Sequence, residues 1–143
     1  MQFRLQAPGS RLQELLPWAQ ELTRHSGTVL CLPVVVERKA PLEYWRWTQG
    51  EALDRGIWDI PIPARRDVVT PDLILAPLVG FDQANYRLGY GGGYFDRFLR
   101  SYSGVSLGVI FQALLFDQLP CGEHDVPVQW IITEEGYYQP TNP

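Results

Sequence analysis

The chain has 143 residues, the size of one domain, and a compact domain of that length buries about 68–70% of the surface its unfolded chain exposes. It is 45% hydrophobic and 20% charged, which excludes wholesale disorder, and its net charge of −4 excludes a general attraction to nucleic acid or to an anionic membrane surface. Cys31 and Cys121 match no metal-ligand or redox spacing, residues 1–10 lack a signal-peptide core, and no apolar run is long enough to span a bilayer, so a cytoplasmic protein with reduced thiols is expected.

In chain order, Ser10 and Gln13 have capping-box spacing, and Leu12, Leu15, Leu16, Ala19 and Leu22 recur at helical intervals up to His25 and Gly27. This predicts an amphipathic helix. Residues 28–36 form a β-branched run of the kind covered on both faces in a parallel sheet, with Pro33 expected at its end because proline removes a ladder hydrogen bond. Residues 42–47 alternate and are rich in aromatics, predicting a strand that turns at Gly50. Between residues 56 and 71 three prolines predict a long, ordered loop without regular structure.

Residues 72–77 read as a buried strand, followed by a glycine-rich loop, a helix with Phe95, Phe98, Leu99 and Tyr102 on one face, and a strand over 105–111. Strand, helix and strand within so short a span make a βαβ unit, hence a layered α/β fold. A last strand is expected over 130–133, and the tail after Gly136 is expected to be loose. No repeat or linker composition divides the chain, so residues 1–143 read as one domain.

The segment richest in chemistry is residues 87–97, RLGYGGGYFDR. It follows a buried strand and opens a helix, where open α/β sheets bind ligands. Gly89, Gly91, Gly92 and Gly93 allow a sharp turn and close backbone approach, and the N–H groups at the helix start would face an anion. It is neither a Walker loop, because Tyr94 and Phe95 replace the Lys and Ser or Thr, nor a dinucleotide fingerprint, because Tyr94 stands at the third glycine. A tight turn without a ligand is the competing reading. Arg87 favours phosphate, and Asp96 beside a phosphate implies an intervening cation such as Mg²⁺, although an acid in a first helical turn is also favoured by the helix dipole.

Residues 72–82, DLILAPLVGFD, followed by 87–97, resemble the signature of the 5-formyltetrahydrofolate cyclo-ligase family, also called methenyltetrahydrofolate synthetases. The helix and strand over 12–36, Gly56 and Ile57, Gln112, and residues 123–127 and 130–134 are similar to the same family in order. The resemblance implies a three-layer α/β/α fold with a mostly parallel, Rossmann-like sheet, akin to the NagB/RpiA/CoA-transferase-like fold. It also implies Mg²⁺-dependent conversion of 5-formyltetrahydrofolate to 5,10-methenyltetrahydrofolate with ATP hydrolysis to ADP and phosphate. In that chemistry the formyl oxygen attacks the γ-phosphate, N10 closes the ring, and the protein positions and stabilises charge.

Carried over by position, the resemblance makes Arg87 and Asp96 catalytic. Arg87, Gly89, Gly91, Gly92, Gly93, Tyr94 and Phe95 would bind ATP, and Asp96 and Asp125 would hold Mg²⁺. Tyr90, Tyr94 and Trp45 would contact the reduced folate. Without the resemblance, Asp125 reads as a loop aspartate bonded to its own backbone and His124 as a structural or solvent-facing neighbour. Trp45, Trp47 and Trp58 can each be read as core or as a stacking surface.

Three features depart from the family pattern. Family members begin with a basic helix whose Lys and Arg grip the ATP phosphates, whereas here Met1 falls inside the following strand, so the chain reads as N-terminally shortened. Two lost charge-assisted hydrogen bonds, worth about 1.5–3 kcal/mol each, would weaken ATP binding. Ser10 stands where a folate-site glutamate is expected, and Phe95 where tyrosine is usual. An uncovered sheet edge would favour a homodimer. The competing expectations are a catalytically impaired nucleotide- or folate-binding protein, and an enzyme active only as an assembly.

Overall fold

A computed structural model describes residues 12–76, 78–89 and 92–139. The chain divides into two compact units, the first ending at Asp72 and the second beginning at Leu73. The capping position expected at Ser10 lies outside the described residues.

In the first unit, helix α1 (Leu12–Ser26) contains Pro17 and stops at Gly27, whose φ of 67° only glycine adopts readily. Strand β1 (Cys31–Val34) is buried along its whole length and pairs with β2 (Glu43–Arg46). The pairing is antiparallel, not the parallel arrangement its β-branched run predicts, and Pro33 lies within the strand and does not end it. The register explains why proline is tolerated. Trp47 N–H donates to Leu30 O at 3.0 Å, so by alternation Leu32 and Val34 face β2 in the ladder while the nitrogen of Pro33 faces away. On its other edge β2 is bonded by the segment around Asp67 and Val69, with Arg46 N–H donating to Asp67 O at 2.8 Å.

Residues 56–71 are also more regular than their prolines suggest. Strands β3 (Leu53–Arg55) and β4 (Pro61–Pro63) form an antiparallel hairpin around a 3-10 turn at Ile57–Asp59. Ala64 N–H donates to Ala52 O, which places the even-numbered amides toward the partner strand and the missing amides of Pro61 and Pro63 on the open side. Trp58 and Asp59 carry positive φ, 56° and 60°, a strained pair at the hairpin tip.

The second unit is built on a four-stranded mixed sheet in the order β10-β9-β8-β5. Strands β5 (Leu73–Leu75), β8 (Val105–Val109) and β9 (Trp130–Thr133) run parallel, and β10 (Gly136–Tyr138) returns antiparallel on β9. Helix α2 (Tyr94–Arg100) makes the crossover from β5 to β8, and it buries Phe95 and Leu99, one turn apart. Tyr102 lies beyond the helix but keeps its place against Phe98, with ring centres 5.1 Å apart.

Two features of this unit go beyond the sequence expectation. A second hairpin, β6 (Gly80–Phe81) with β7 (Arg87–Leu88), precedes the glycine turn. Residues 140–143 lie outside the described residues, but Gly136–Tyr138 form a strand where a loose tail is expected, because Tyr138 is held from three directions. Its carbonyl accepts Asn85 Nδ2 at 2.9 Å, its hydroxyl accepts Gln112 Nε2 at 2.6 Å, and its ring meets Phe81 edge-on at 5.3 Å. Both units are α/β or β in content, and no helix among the described residues is long and apolar enough to cross a membrane.

Candidate functional site

The β6–β7 hairpin delivers Arg87 to the mouth of the glycine turn, and its geometry is set by two buried polar side chains. The carboxylate of Asp82 accepts the N–H groups of Ala84 and Tyr86 through Oδ1 and that of Leu119 through Oδ2, all at 3.0–3.1 Å. Asn85, fully buried and with φ of 62°, closes the turn in the left-handed region. Its Nδ2 donates to Gln129 O and Tyr138 O, tying the hairpin to the strands that end the chain.

Arg87 reaches forward to α2. Its guanidinium lies 5.4 Å from the centre of the Phe95 ring and its Nη2 is 3.5 Å from Asp96 Oδ1, with side chains only 6% and 18% exposed. A methyl group on Gly89 would come within 2.6 Å of Arg87 Nη1, so glycine there makes room for the arginine. Gly92 and Gly93 lead into α2, Gly93 with φ of 69°, while Tyr90 and Gly91 lie outside the described residues. The helix they open has seven residues, so its dipole adds less to anion binding than the sequence pattern suggests.

Asp96 also accepts Val126 N–H at 3.1 Å. That bond draws the 122–126 loop against α2. In this loop Asp125 Oδ2 accepts Gly122 N–H at 2.8 Å and Asp125 N–H returns to Gly122 O, the self-bonded turn that its sequence context also predicts. Gly93, Asp96, Arg97, Arg100, His124 and Asp125 together line an open pocket of about 330 Å³.

Two of these, Arg97 and Arg100, were not singled out from the sequence, and His124 was read there as a structural or solvent-facing neighbour. Arg100 stands four residues beyond Asp96 and three beyond Arg97, the spacings that bring side chains together on a helix, and this is the signal that would have found the pair. His124 is tied to Arg100, whose Nη2 lies 3.2 Å from His124 Nδ1. Among the described residues no group of three or more His, Cys, Asp or Glu side chains clusters for a metal ion. Two carboxylates in one open pocket nevertheless fit Mg²⁺, which is held by one or two carboxylates together with phosphate oxygens and water.

The tryptophans divide differently. Trp45 and Trp47 are buried, and Trp45 Nε1 donates to Glu43 at 2.8 Å, whereas Trp58 is 55% exposed. The titration shifts imposed by the structure also lie in the first unit. Burial pushes the Cys31 thiol up to about 11. Hydrogen bonds from Arg66, then from Trp45, hold Glu43 below the usual carboxylate range, and Glu43 in turn raises Arg66.

Residues 16–134 match the model of the 5-formyltetrahydrofolate cyclo-ligase family. The chain is 30% identical over 125 residues to the 5-formyltetrahydrofolate cyclo-ligase of Mus musculus, covering 76% of this chain and 62% of that protein. It is 37% identical over 65 residues to the enzyme of the same name from Escherichia coli K12, covering 43% of this chain and 36% of that one. The solved 5,10-methenyltetrahydrofolate synthetase of Aquifex aeolicus superimposes with a TM-score of 0.77 at 29% identity, covering 99% of this chain and 72% of that structure. The matched stretches thus span less than two thirds of both curated relatives. With a family match that runs through most of its length and across both compact units, the chain belongs to the 5-formyltetrahydrofolate cyclo-ligase family.

Proposed function

We propose that this chain carries its family's reaction, the ATP- and Mg²⁺-dependent conversion of 5-formyltetrahydrofolate to 5,10-methenyltetrahydrofolate with release of ADP and phosphate. The observation that carries the reading is the convergence of Asp96 and Asp125 on one pocket, beside the glycine turn and next to an arginine already oriented by Asp96.

In this reading the backbone of Gly89, Gly91, Gly92 and Gly93, with Tyr94 and Phe95, takes the triphosphate, and Arg87 steadies Asp96 at its edge. Asp96 and Asp125 each keep one carboxylate oxygen outside the protein bonds described above, available for a cation. Mg²⁺ bound there would neutralise phosphate charge and so favour phosphoryl transfer. Tyr90 and Tyr94 are assigned to the folate, whereas Trp45, the third residue expected there, is buried at 9% exposure with its Nε1 bonded to Glu43. The parallel β5-β8-β9 core of the second unit supports a three-layer, Rossmann-like architecture akin to the NagB/RpiA/CoA-transferase-like fold, and residues 1–143 are proposed to act as one domain. A cytoplasmic protein acting on small molecules, and pairing as a homodimer, belongs to the same proposal.

The test is direct. Incubated with MgATP and 5-formyltetrahydrofolate, the chain should accumulate the methenyl product, followed by its absorbance. No product despite tight MgATP binding would select the second reading, a nucleotide- or folate-binding protein without turnover. That reading is favoured by Asp96 Oδ1, which Arg87 and Val126 already occupy. Activity that appears only with rising protein concentration would mark an enzyme active as an assembly.

A further inference from the structure

Arg97 has no role in the reading above, yet its side chain is bonded directly to the end of the glycine turn. Its Nη1 donates to the carbonyl of Gly92 at 2.9 Å, five residues back along the chain, and its guanidinium lies 5.4 Å from the centre of the Tyr94 ring. Its backbone N–H donates to Gly93 O at 3.0 Å. The side chain is thus folded back over the turn, and a methyl group on Gly93 would stand 3.7 Å from Nη1.

Its electrostatic situation differs from that of the neighbouring cations. Arg87 faces Asp96, and Arg100 donates to His124 through both the ring and the carbonyl. Arg97 makes no carboxylate salt bridge among the described residues, and its side chain lines the pocket that Asp96 and Asp125 share. A guanidinium carries five donors in a fixed plane, and here one of them goes to Gly92. We propose that Arg97 contacts phosphate directly, with one donor holding the glycine turn to α2 and the rest directed at the oxygens of a polyphosphate. Arginine is suited to both tasks at once, because its planar fork can bond the backbone and an anion together, whereas an ammonium is a point charge.

This inference rests on the nucleotide reading of the pocket, so the experiment separates the two. The full chain and its variants are titrated calorimetrically with MgATP, with metal-free tripolyphosphate and with 5-formyltetrahydrofolate at one ionic strength. Arg97→Gln keeps a donor for Gly92 but removes the charge, and Arg97→Lys keeps the charge. A charge-assisted hydrogen bond is worth enough that Arg97→Gln should weaken both phosphate ligands by about tenfold or more. Arg97→Lys, which keeps the charge but not the fork, should recover part of that loss, and folate binding should not change. Thermal melts establish that each variant is folded, and Arg97→Met, which keeps the stem over Tyr94, replaces a Gln variant that is not. Wild-type affinity in Arg97→Gln, or equal losses in Gln and Lys, would leave Arg97 as a turn clamp only and overturn the proposal. Wild-type chain that binds neither phosphate ligand would overturn the nucleotide reading itself, and this inference with it.

Discussion

Asp96 accepts the backbone N–H of Val126 at 3.1 Å through the same Oδ1 that lies 3.5 Å from Arg87 Nη2. One carboxylate oxygen therefore joins three pieces of chain: the strand before the glycine turn, the helix after it, and the loop that carries Asp125. Asp96 organises the pocket whether or not it also meets a metal ion.

Removing that carboxylate should show in stability as well as activity. Asp96→Ala leaves the guanidinium of Arg87, 6% exposed, without its counter-charge, and such a loss costs about 3 kcal/mol. Asp96→Asn keeps an acceptor for Val126 and should cost about half as much. Both should abolish turnover under the proposed reading. Urea denaturation reads the first effect, and an Asp96→Ala variant within about 0.5 kcal/mol of wild type would mean that the Arg87 pair is not held in solution.

Asn85 should be intolerant for two separable reasons. Asn85→Ala places a Cβ-bearing residue without side-chain hydrogen bonds at φ of 62° and removes the donor that the carbonyls of Gln129 and Tyr138 share, for a combined cost of about 3 kcal/mol. Asn85→Gly relieves the backbone cost and should lose about 2 kcal/mol. If both variants melt with the wild type, the side chain does not tie the hairpin to Gln129 and Tyr138.

The two thiols should differ sharply in reactivity. Cys31 is buried with its pKa pushed up to about 11, so it is a neutral thiol near pH 7, while Cys121 is exposed. A thiol reagent should modify one equivalent in the native chain and two after unfolding. Rapid native labelling of both would show that β1 opens easily.

Glu43 should contribute to the acid limb of the stability curve. Its carboxylate takes Arg66 Nη2 at 2.6 Å and Nε at 3.1 Å, which lowers its folded-state pKa below the unfolded value of 4.5. A lowered carboxylate pKa stabilises the fold above the unfolded value, and that contribution disappears as pH falls through the folded one. Glu43→Gln should therefore flatten the dependence of stability on pH below about 4.5 and leave its slope near neutrality unchanged. An acid limb identical to the wild type would count against the pair.

Local signals carried most of the outline. The helix that stops at Gly27, the alternating strand at Glu43–Arg46, the βαβ crossover through α2 and the last parallel strand at Trp130–Thr133 each follow from periodicity or from a capping residue. The glycine segment between a strand and a helix, with Arg87 and Asp96 flanking it, was also legible, because glycines permit a sharp turn there. Arg97 was not, since only the fold shows that it reaches back five residues to Gly92.

What the amino-acid order determined by itself was the kind of element in those four stretches, a property set by neighbours within a few residues. Tertiary structure alone decided which amide of a strand faces a partner, and so whether Pro33, Pro61 and Pro63 interrupt a ladder or sit harmlessly on its open side. It also decided that Tyr138 ends an ordered strand and that Val126 meets Asp96, because those bonds join residues dozens of positions apart whose approach no local pattern encodes.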